Sequence, residues 1–318
     1  MRYKKLGTTS IELSAVIFGG WQAGKDSWAG IDDDAQIAAH RAALDAGVTT
    51  FDTAENYGGG HSERILAKAL AGKRERIVIL TKVSWTNLRR EQVIRACEGS
   101  LENLGTDRID LYQIHWPAGS FGSKVVPIEE TMGALLDLKA QGKIRAIGVS
   151  NFDRAQIEAA SRVGRVDSLQ PCYSLFFRKA VDDTLAYCQE NGISVLAYSP
   201  LAQGLLTGKF KRRHMFAPGD NRKDNRLFKG ETFEKALAAL DELRPIAKRN
   251  SVTLTNLALA WLVAQEGVCA IAGARNRAQA KENARAGDVT LGAADLAEID
   301  RIGRAVSDSL PAGLMWDW

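Results

Sequence analysis

Residues 51–60 read FDTAENYGGG, and the apolar run VTTF at 48–51 leads straight into the carboxylate of Asp52. Tyr57, three glycines and His61 follow, so a buried strand hands over to a polar loop whose backbone is unusually free. The same hand-over recurs along the chain. Strand-like runs at Ala15–Gly19, Thr49–Thr53, Ile77–Lys82, Asp110–His115, Ile144–Ser150, Ser168–Pro171, Ser194–Ser199 and Val268–Gly273 are each followed by a segment of helical period. Those segments are Asp32–Ala46, Ser62–Ala71, Arg89–Leu104, Ile128–Gln141, Asp153–Ser161, Val181–Asn191, Thr232–Trp261 with a break near Asn250, and Arg277–Ala286. Eight strand–helix units predict an α/β fold, a (β/α)8 TIM barrel. RYKKLGTTSIEL at the start reads as a hairpin covering the barrel bottom, and Asp295–Val306 as an extra C-terminal helix.

No low-complexity linker interrupts this series, so residues 1–318 are expected to form one domain, a length that a closed barrel often uses as one unit. Hydrophobic residues make up 45% and charged residues 25%, which excludes a disordered chain. A net charge of +4 is too mild to imply nucleic acid. Cys97, Cys172, Cys188 and Cys269 lie in apolar segments with no C-x-x-C pair, as expected of reduced core thiols rather than disulfides or a metal site. With no apolar leader and no apolar run long enough to span a bilayer, the expectation is a cytoplasmic protein without membrane attachment.

In such a barrel the chemistry sits at the C-terminal ends of the strands. Asp52 ends the second strand, Tyr57 lies in its loop, Lys82 ends the third strand and His115 the fourth. Taken singly, these are a turn cap, a loop aromatic, a solvated lysine and a core histidine. Adjacent strands would instead converge them on one small volume. A phenol is a poor acid at neutral pH unless a cation favours its ionised form, and Lys82 can supply that cation. Asp52 is the carboxylate placed to keep a buried ammonium charged, and His115 can orient a carbonyl oxygen. With no nucleophile and no metal-ligand spacing, the natural reaction is carbonyl reduction by hydride.

FDTAENYGGGHSERILAKAL, TK, DLYQIHWP, IRAIGVSNF and LAYSPLAQGLLTGKF, in this order and on these strands, resemble the aldo-keto reductase superfamily, in its longer bacterial branch. The resemblance implies an NAD(P)(H)-dependent barrel enzyme in which Asp52, Tyr57, Lys82 and His115 form the catalytic tetrad, with Tyr57 the general acid. It implies also that Ser150, Asn151 and Gln170 hold the cofactor carboxamide, that Tyr198 stacks on the nicotinamide, and that Gly273, Arg275, Gln279, Glu282 and Asn283 line the adenosine end. Ser174 departs from the asparagine usual after this tyrosine, and Gly273–Ala274 from the Lys-Ser pair of the animal branch.

No dinucleotide fingerprint of the G-x-G-x-x-G type follows a strand, so the phosphates are expected at the loops after strands seven and eight. The run from Ser199 through Pro200, Leu201 and Gly204 to Gly208 and Lys209 offers backbone for the pyrophosphate. NADP(H) is expected in preference to NAD(H), through Arg275 or, failing that, Arg277, because a guanidinium grips a 2′-phosphate with a fork of donors. The small-molecule carbonyl substrate is expected among Trp21, Trp28, Trp85 and Trp116.

Two stretches invite other readings. GGWQAGKD from Gly19 approaches a phosphate-binding P-loop, but Asp26 stands where Ser or Thr should hold magnesium. The basic run KFKRRHMFAPGDNRKDNR from Lys209 lacks a nucleic-acid-binding fold signature and reads as a solvated flap over an anionic dinucleotide. Potassium-channel β subunits resemble the same family and act through partners, so a non-catalytic NADP(H)-binding regulatory subunit is the alternative; the intact tetrad favours an enzyme.

Overall fold

The computed structural model describes residues 1–310 apart from 27, 29, 180, 218 and 219. A hairpin, β1 (Tyr3–Lys5) and β2 (Glu12–Ser14), precedes eight parallel strands: β3 (Val16–Gly19), β4 (Thr50–Asp52), β5 (Val78–Val83), β6 (Ile109–Ile114), β7 (Ile144–Ser150), β8 (Ser168–Gln170), β9 (Ser194–Ala197) and β10 (Val268–Gly273). They close in chain order, β10 pairing with both β3 and β9, so the expected barrel is present.

Around it lie α1 (Asp33–Asp45), α2 (His61–Ala69), α3 (Arg90–Leu104), α4 (Ile128–Ala140), α5 (Arg154–Val163), α6 (Leu185–Glu190), α7 (Gly230–Arg249), α8 (Leu254–Ala264), α9 (Arg277–Arg285) and α10 (Ala293–Ser307). Caps account for several starts. Asp32, Asp153, Thr253 and Asn276 each accept a backbone N–H from the first turn that follows.

Several boundaries differ from the sequence expectation, while the break expected near Asn250 is present: the long seventh helical segment is two helices, split where Ser251 takes a φ of 56° and Thr253 starts a new cap. Of these, α8 packs on β10 and is buried almost all round, whereas α7 pairs with α10 outside the ring. The sixth helix starts late, at Leu185, because Leu175, Phe176 and Phe177 are drawn into the core before it. The seventh strand stops at Ala197, since Ser199 turns left-handed at φ 51°.

The hairpin plugs the barrel bottom as expected. Leu6, Ile11 and Leu13 pack against the inward Ile17, Leu80, Leu111 and Leu196, and Lys4 Nζ donates to the carbonyls of Val263, Gln265 and Val268 at 2.7–2.8 Å. Above that apolar plug the interior turns polar, with Asp52, Lys82, Gln113, Ser168 and Gln170 all buried. Gly148 belongs to this layer because a Cβ there would stand 2.3 Å from Ser168 Oγ and 2.9 Å from Gln113 Cγ. All four cysteines are buried and unbridged. Among the described residues, no helix is long and apolar enough to cross a membrane.

Candidate active site

At the C-terminal mouth of the barrel, Lys82 Nζ lies 2.7 Å from Asp52 Oδ1 and donates also to the Thr53 carbonyl at 2.7 Å. Lys82 is the penultimate residue of β5 rather than its last, so its inward side chain is fully buried. The other carboxylate oxygen, Asp52 Oδ2, accepts from Gln170 Nε2 at 2.9 Å, and Gln170 Nε2 reaches Gln113 Oε1 at 3.2 Å. The amide of Gln170 is thereby engaged by the barrel interior, and not left wholly to a carboxamide as the resemblance implied. Gln113, which the sequence reading did not single out, completes this layer.

Tyr57 reaches the pair from its loop. Lys82 Nζ is 5.1 Å from the centre of the Tyr57 ring, and the Tyr57 and His115 rings meet edge to face at 5.5 Å. His115 stands one residue past β6. Burial works against the Lys82 charge, but Asp52 and Tyr57 outweigh it and hold the ammonium above its ordinary range. Burial pushes the Tyr57 phenol up despite the opposing Lys82 charge. The expectation of a net downward pull on Tyr57 is therefore corrected: Lys82 moderates a rise that desolvation causes. Burial, then the Lys82 charge, pushes His115 well below its usual value, so the ring is neutral at physiological pH. A protonated phenol and a neutral imidazole beside a fixed cation can together donate to a carbonyl oxygen that gains negative charge.

Of these groups Asp52, Tyr57 and His115 line one end of a cleft of about 720 Å³. Ser150, Asn151, Gln170 and Tyr198 line its middle. Asn151 is held in a left-handed conformation at φ 61°, where Nδ2 donates to the His115 carbonyl at 3.1 Å and Oδ1 accepts from the Tyr198 hydroxyl at 2.9 Å. Ser150 Oγ donates to the Gln170 carbonyl at 2.7 Å. Strand ends 20 to 47 residues apart in the chain are thus tied into one rim around the tetrad.

Ser199, Pro200, Leu201, Gly204, Lys209, Gly273, Arg275, Gln279, Glu282 and Asn283 all line the far end of the cleft. Gly208 does not. A Cβ there would stand 2.7 Å from Leu254 Cδ1, and a φ of 73° favours glycine. Arg277 is exposed on α9 outside the cleft, which leaves Arg275 of the two arginines considered. Asn283 Nδ2 is spent on the Gly273 carbonyl at 3.0 Å, and Gln279 Oε1 accepts from the Arg275 N–H at 2.9 Å. Both shape the loop after β10 as well as facing the cleft.

The basic run divides. Lys211, Arg212 and Arg213 face solvent, while Lys209 and Arg222 turn into the cleft. Arg222 is buried, grips Asp220 through Nε at 2.8 Å, and stacks 5.4 Å from Trp28, which also carries Arg275 at 5.5 Å. Burial and the neighbouring arginines lower the Lys209 ammonium, and burial and Arg222 lower Arg275. Three cations converge where two carboxylates, Asp220 and Glu282, stand near them. Such a surplus in a cleft suits an anionic dinucleotide, and the group fits the residues present. Trp28 consequently lies toward the anion-binding end, apart from the other tryptophans except for its edge contact with Trp21 at 5.3 Å.

Trp85, Trp116 and Trp21 wall the tetrad end. Phe121 joins them, 5.3 Å from Trp85 and 5.0 Å from Trp116, on a turn where its own φ is 53°. The sequence reading missed Phe121 and Arg222. Phe121 gave no signal beyond membership of the loop after strand four, and Arg222 only its place in the basic run read as a flap over the dinucleotide. Ser174 sits in a tight turn with Phe177, its hydroxyl buried without a partner among the described residues.

Comparison with known proteins finds a family match and relatives over most of the chain. The model of the aldo/keto reductase family matches residues 15–304. Aldo-keto reductase YhdN of Bacillus subtilis is 38% identical over 314 residues, covering 95% of this chain and 93% of that protein. The NADH-specific methylglyoxal reductase of Escherichia coli is 36% identical, covering 93% and 96%. The crystal structure of an aldo/keto reductase from Klebsiella pneumoniae in complex with NADP and acetate superposes with a TM-score of 0.78 at 30% identity, covering 99% and 98%. With a family match across the barrel and relatives this similar over their whole length, the chain belongs to the aldo/keto reductase family.

Proposed function

We propose that the protein is an NADPH-dependent reductase of small aldehydes or ketones, with Tyr57 as the proton donor. The observation that carries this reading is the placement of a half-buried, protonated Tyr57 between the Lys82–Asp52 pair and a neutral His115, at one end of a cleft whose other end gathers cations. The nicotinamide, when bound, supplies the hydride. Tyr57 releases its proton to the substrate oxygen as that oxygen gains charge, Lys82 stabilises the phenolate left behind, and Asp52 keeps Lys82 charged. His115 orients the carbonyl by donating from a neutral ring. Trp21, Trp85, Trp116 and Phe121 exclude water from the reacting atoms and offer flat apolar contact.

Preference for NADPH is carried by Arg275, with Lys209 and Arg222 beside it, because a 2′-phosphate answers the surplus of cations. The relative named for NADH specificity makes the opposite preference the competing reading. Both are decided by following cofactor absorbance with NADPH and with NADH over a panel of small carbonyl compounds, methylglyoxal and aromatic aldehydes included. The reading requires turnover with NADPH at lower KM than with NADH. Tight NADPH binding without turnover of any carbonyl would favour a regulatory subunit.

A further inference from the structure

The stretch that resembles a P-loop, GGWQAGKD, lies directly against the loop that carries Tyr57. It leaves β3 and forms a single helical turn over Trp21–Gly24. A Cβ on Gly24 would stand 2.8 Å from the Tyr57 carbonyl carbon and 3.0 Å from the Tyr57 Cα. Those are backbone atoms, which cannot swing aside as a side chain would. The conformation of Gly24 is not left-handed, so what demands glycine is its neighbour. Asp26 Oδ2 then accepts the Gly58 N–H at 2.6 Å, and Gly58 itself leaves no room for a Cβ, which would fall 2.4 Å from the Gly24 carbonyl oxygen. At the start of the stretch, the Gly20 N–H donates to the Asp52 carbonyl at 2.7 Å, and its own carbonyl accepts from Ser62 Oγ at 2.8 Å.

We propose that Gly20–Asp26 is the seat of Tyr57, with Gly24 and Asp26 as positioning residues that set how far the phenol reaches toward Lys82 and His115. The remaining backbone bonds of Tyr57 are local, its N–H to the Ala54 carbonyl and its carbonyl from the Ser62 N–H, and neither fixes the loop's height above the barrel. A bare Cα on one side and a carboxylate on the next peptide do. Proton transfer is steep in geometry, and a misplacement on the order of 1 Å can cost roughly a hundredfold. The inference rests on Tyr57 being the acid.

It is tested by a double-mutant cycle on the full chain, with single-turnover NADPH oxidation, steady-state kcat, NADPH affinity by fluorescence, and thermal melting read for every variant. Gly24→Ala is expected to lower the rate by roughly 10- to 100-fold with NADPH affinity changed less than twofold. In a Tyr57→Phe background it should cause no further loss, since no proton donor remains to misplace. Trp21 shares this turn, and any harm done through it would persist in the Tyr57→Phe background. An equal loss in both backgrounds therefore overturns the proposal. Near-wild-type turnover by Tyr57→Phe alone overturns the acid assignment, and the proposal with it, so the two failures are told apart. Should Gly24→Ala not fold, the Asp26 pair decides: Asp26→Ala must slow the wild type and not Tyr57→Phe, and Asp26→Asn, which can still accept from Gly58, must restore the rate. Full activity in Asp26→Ala would then overturn it.

Discussion

Lys82 Nζ and Asp52 Oδ1 meet at 2.7 Å with side chains 0% and 4% exposed, a closed ion pair inside the barrel mouth. A buried pair is costly to break from one side, because the surviving charge has neither water nor partner. Asp52→Ala is expected to destabilise the fold by about 3–5 kcal/mol, read by urea unfolding. The double variant Asp52→Ala/Lys82→Met should lose much less than the sum of the single losses. Strict additivity would mean the two charges do not depend on each other.

Tyr57→Phe keeps the ring between Lys82 and His115 and removes the proton. Turnover should fall by roughly 10²- to 10⁴-fold, the scale of lost acid–base catalysis, with NADPH affinity nearly unchanged. Lys82→Met should be as damaging. A Tyr57→Phe enzyme with wild-type kcat on every good aldehyde would falsify the acid assignment.

Arg275 is half-buried, and no carboxylate pairs with it directly in the described cleft. Arg275→Ala should weaken NADPH by about 1.5–3 kcal/mol, the range for charge-assisted hydrogen bonds, and barely affect NADH. Arg222→Ala should also weaken NADPH, and in addition loosen Trp28, which stacks on it. If both cofactors lose affinity equally, Arg275 serves the pyrophosphate or the fold instead of the 2′-phosphate.

Trp116 and Phe121 form one corner of the substrate walls. Trp116→Ala should raise KM for aromatic aldehydes more than it lowers kcat, as when ground state and transition state lose the same contact. Phe121→Ala should act in the same direction. Unchanged KM across an aromatic panel removes both from the pocket.

His40 is buried between Phe18 and Phe51, and burial pushes it down to about 4 from 6.5, although Nδ1 meets the Gln36 carbonyl at 2.8 Å. The unfolded chain therefore binds a proton that the fold excludes. Stability from this residue is complete above pH 6.5 and declines as pH falls toward 4, by up to about 3 kcal/mol. Urea midpoints across that window should fall more steeply for the wild type than for His40→Leu, and parallel curves would show that His40 titrates normally.

Local order carried the barrel into the sequence. Alternation of strand runs with helical periods is written in neighbouring residues, and so the count of units, the plugging hairpin and the final helix were all legible before any coordinates. Asp52, Tyr57, Lys82 and His115 were legible too, because closing a barrel forces successive strand ends onto one rim. What only the tertiary structure decided depends on contacts between loops distant in the chain. Arg222 faces the cleft while Arg212 faces solvent, although both lie in one basic run. Gly208 looks like Gly204 in sequence but turns toward Leu254. Trp28 was indistinguishable from Trp85 until its neighbours Arg222 and Arg275 were in place. Gly24 appeared to belong to an imperfect phosphate loop, and its use emerged only when the Tyr57 backbone was found within 3 Å of where its Cβ would be. The physical reason is common to all four. Periodicity records which way a strand or helix faces, but a loop has no period, and its side chains are aimed by whatever the closed barrel brings beside them.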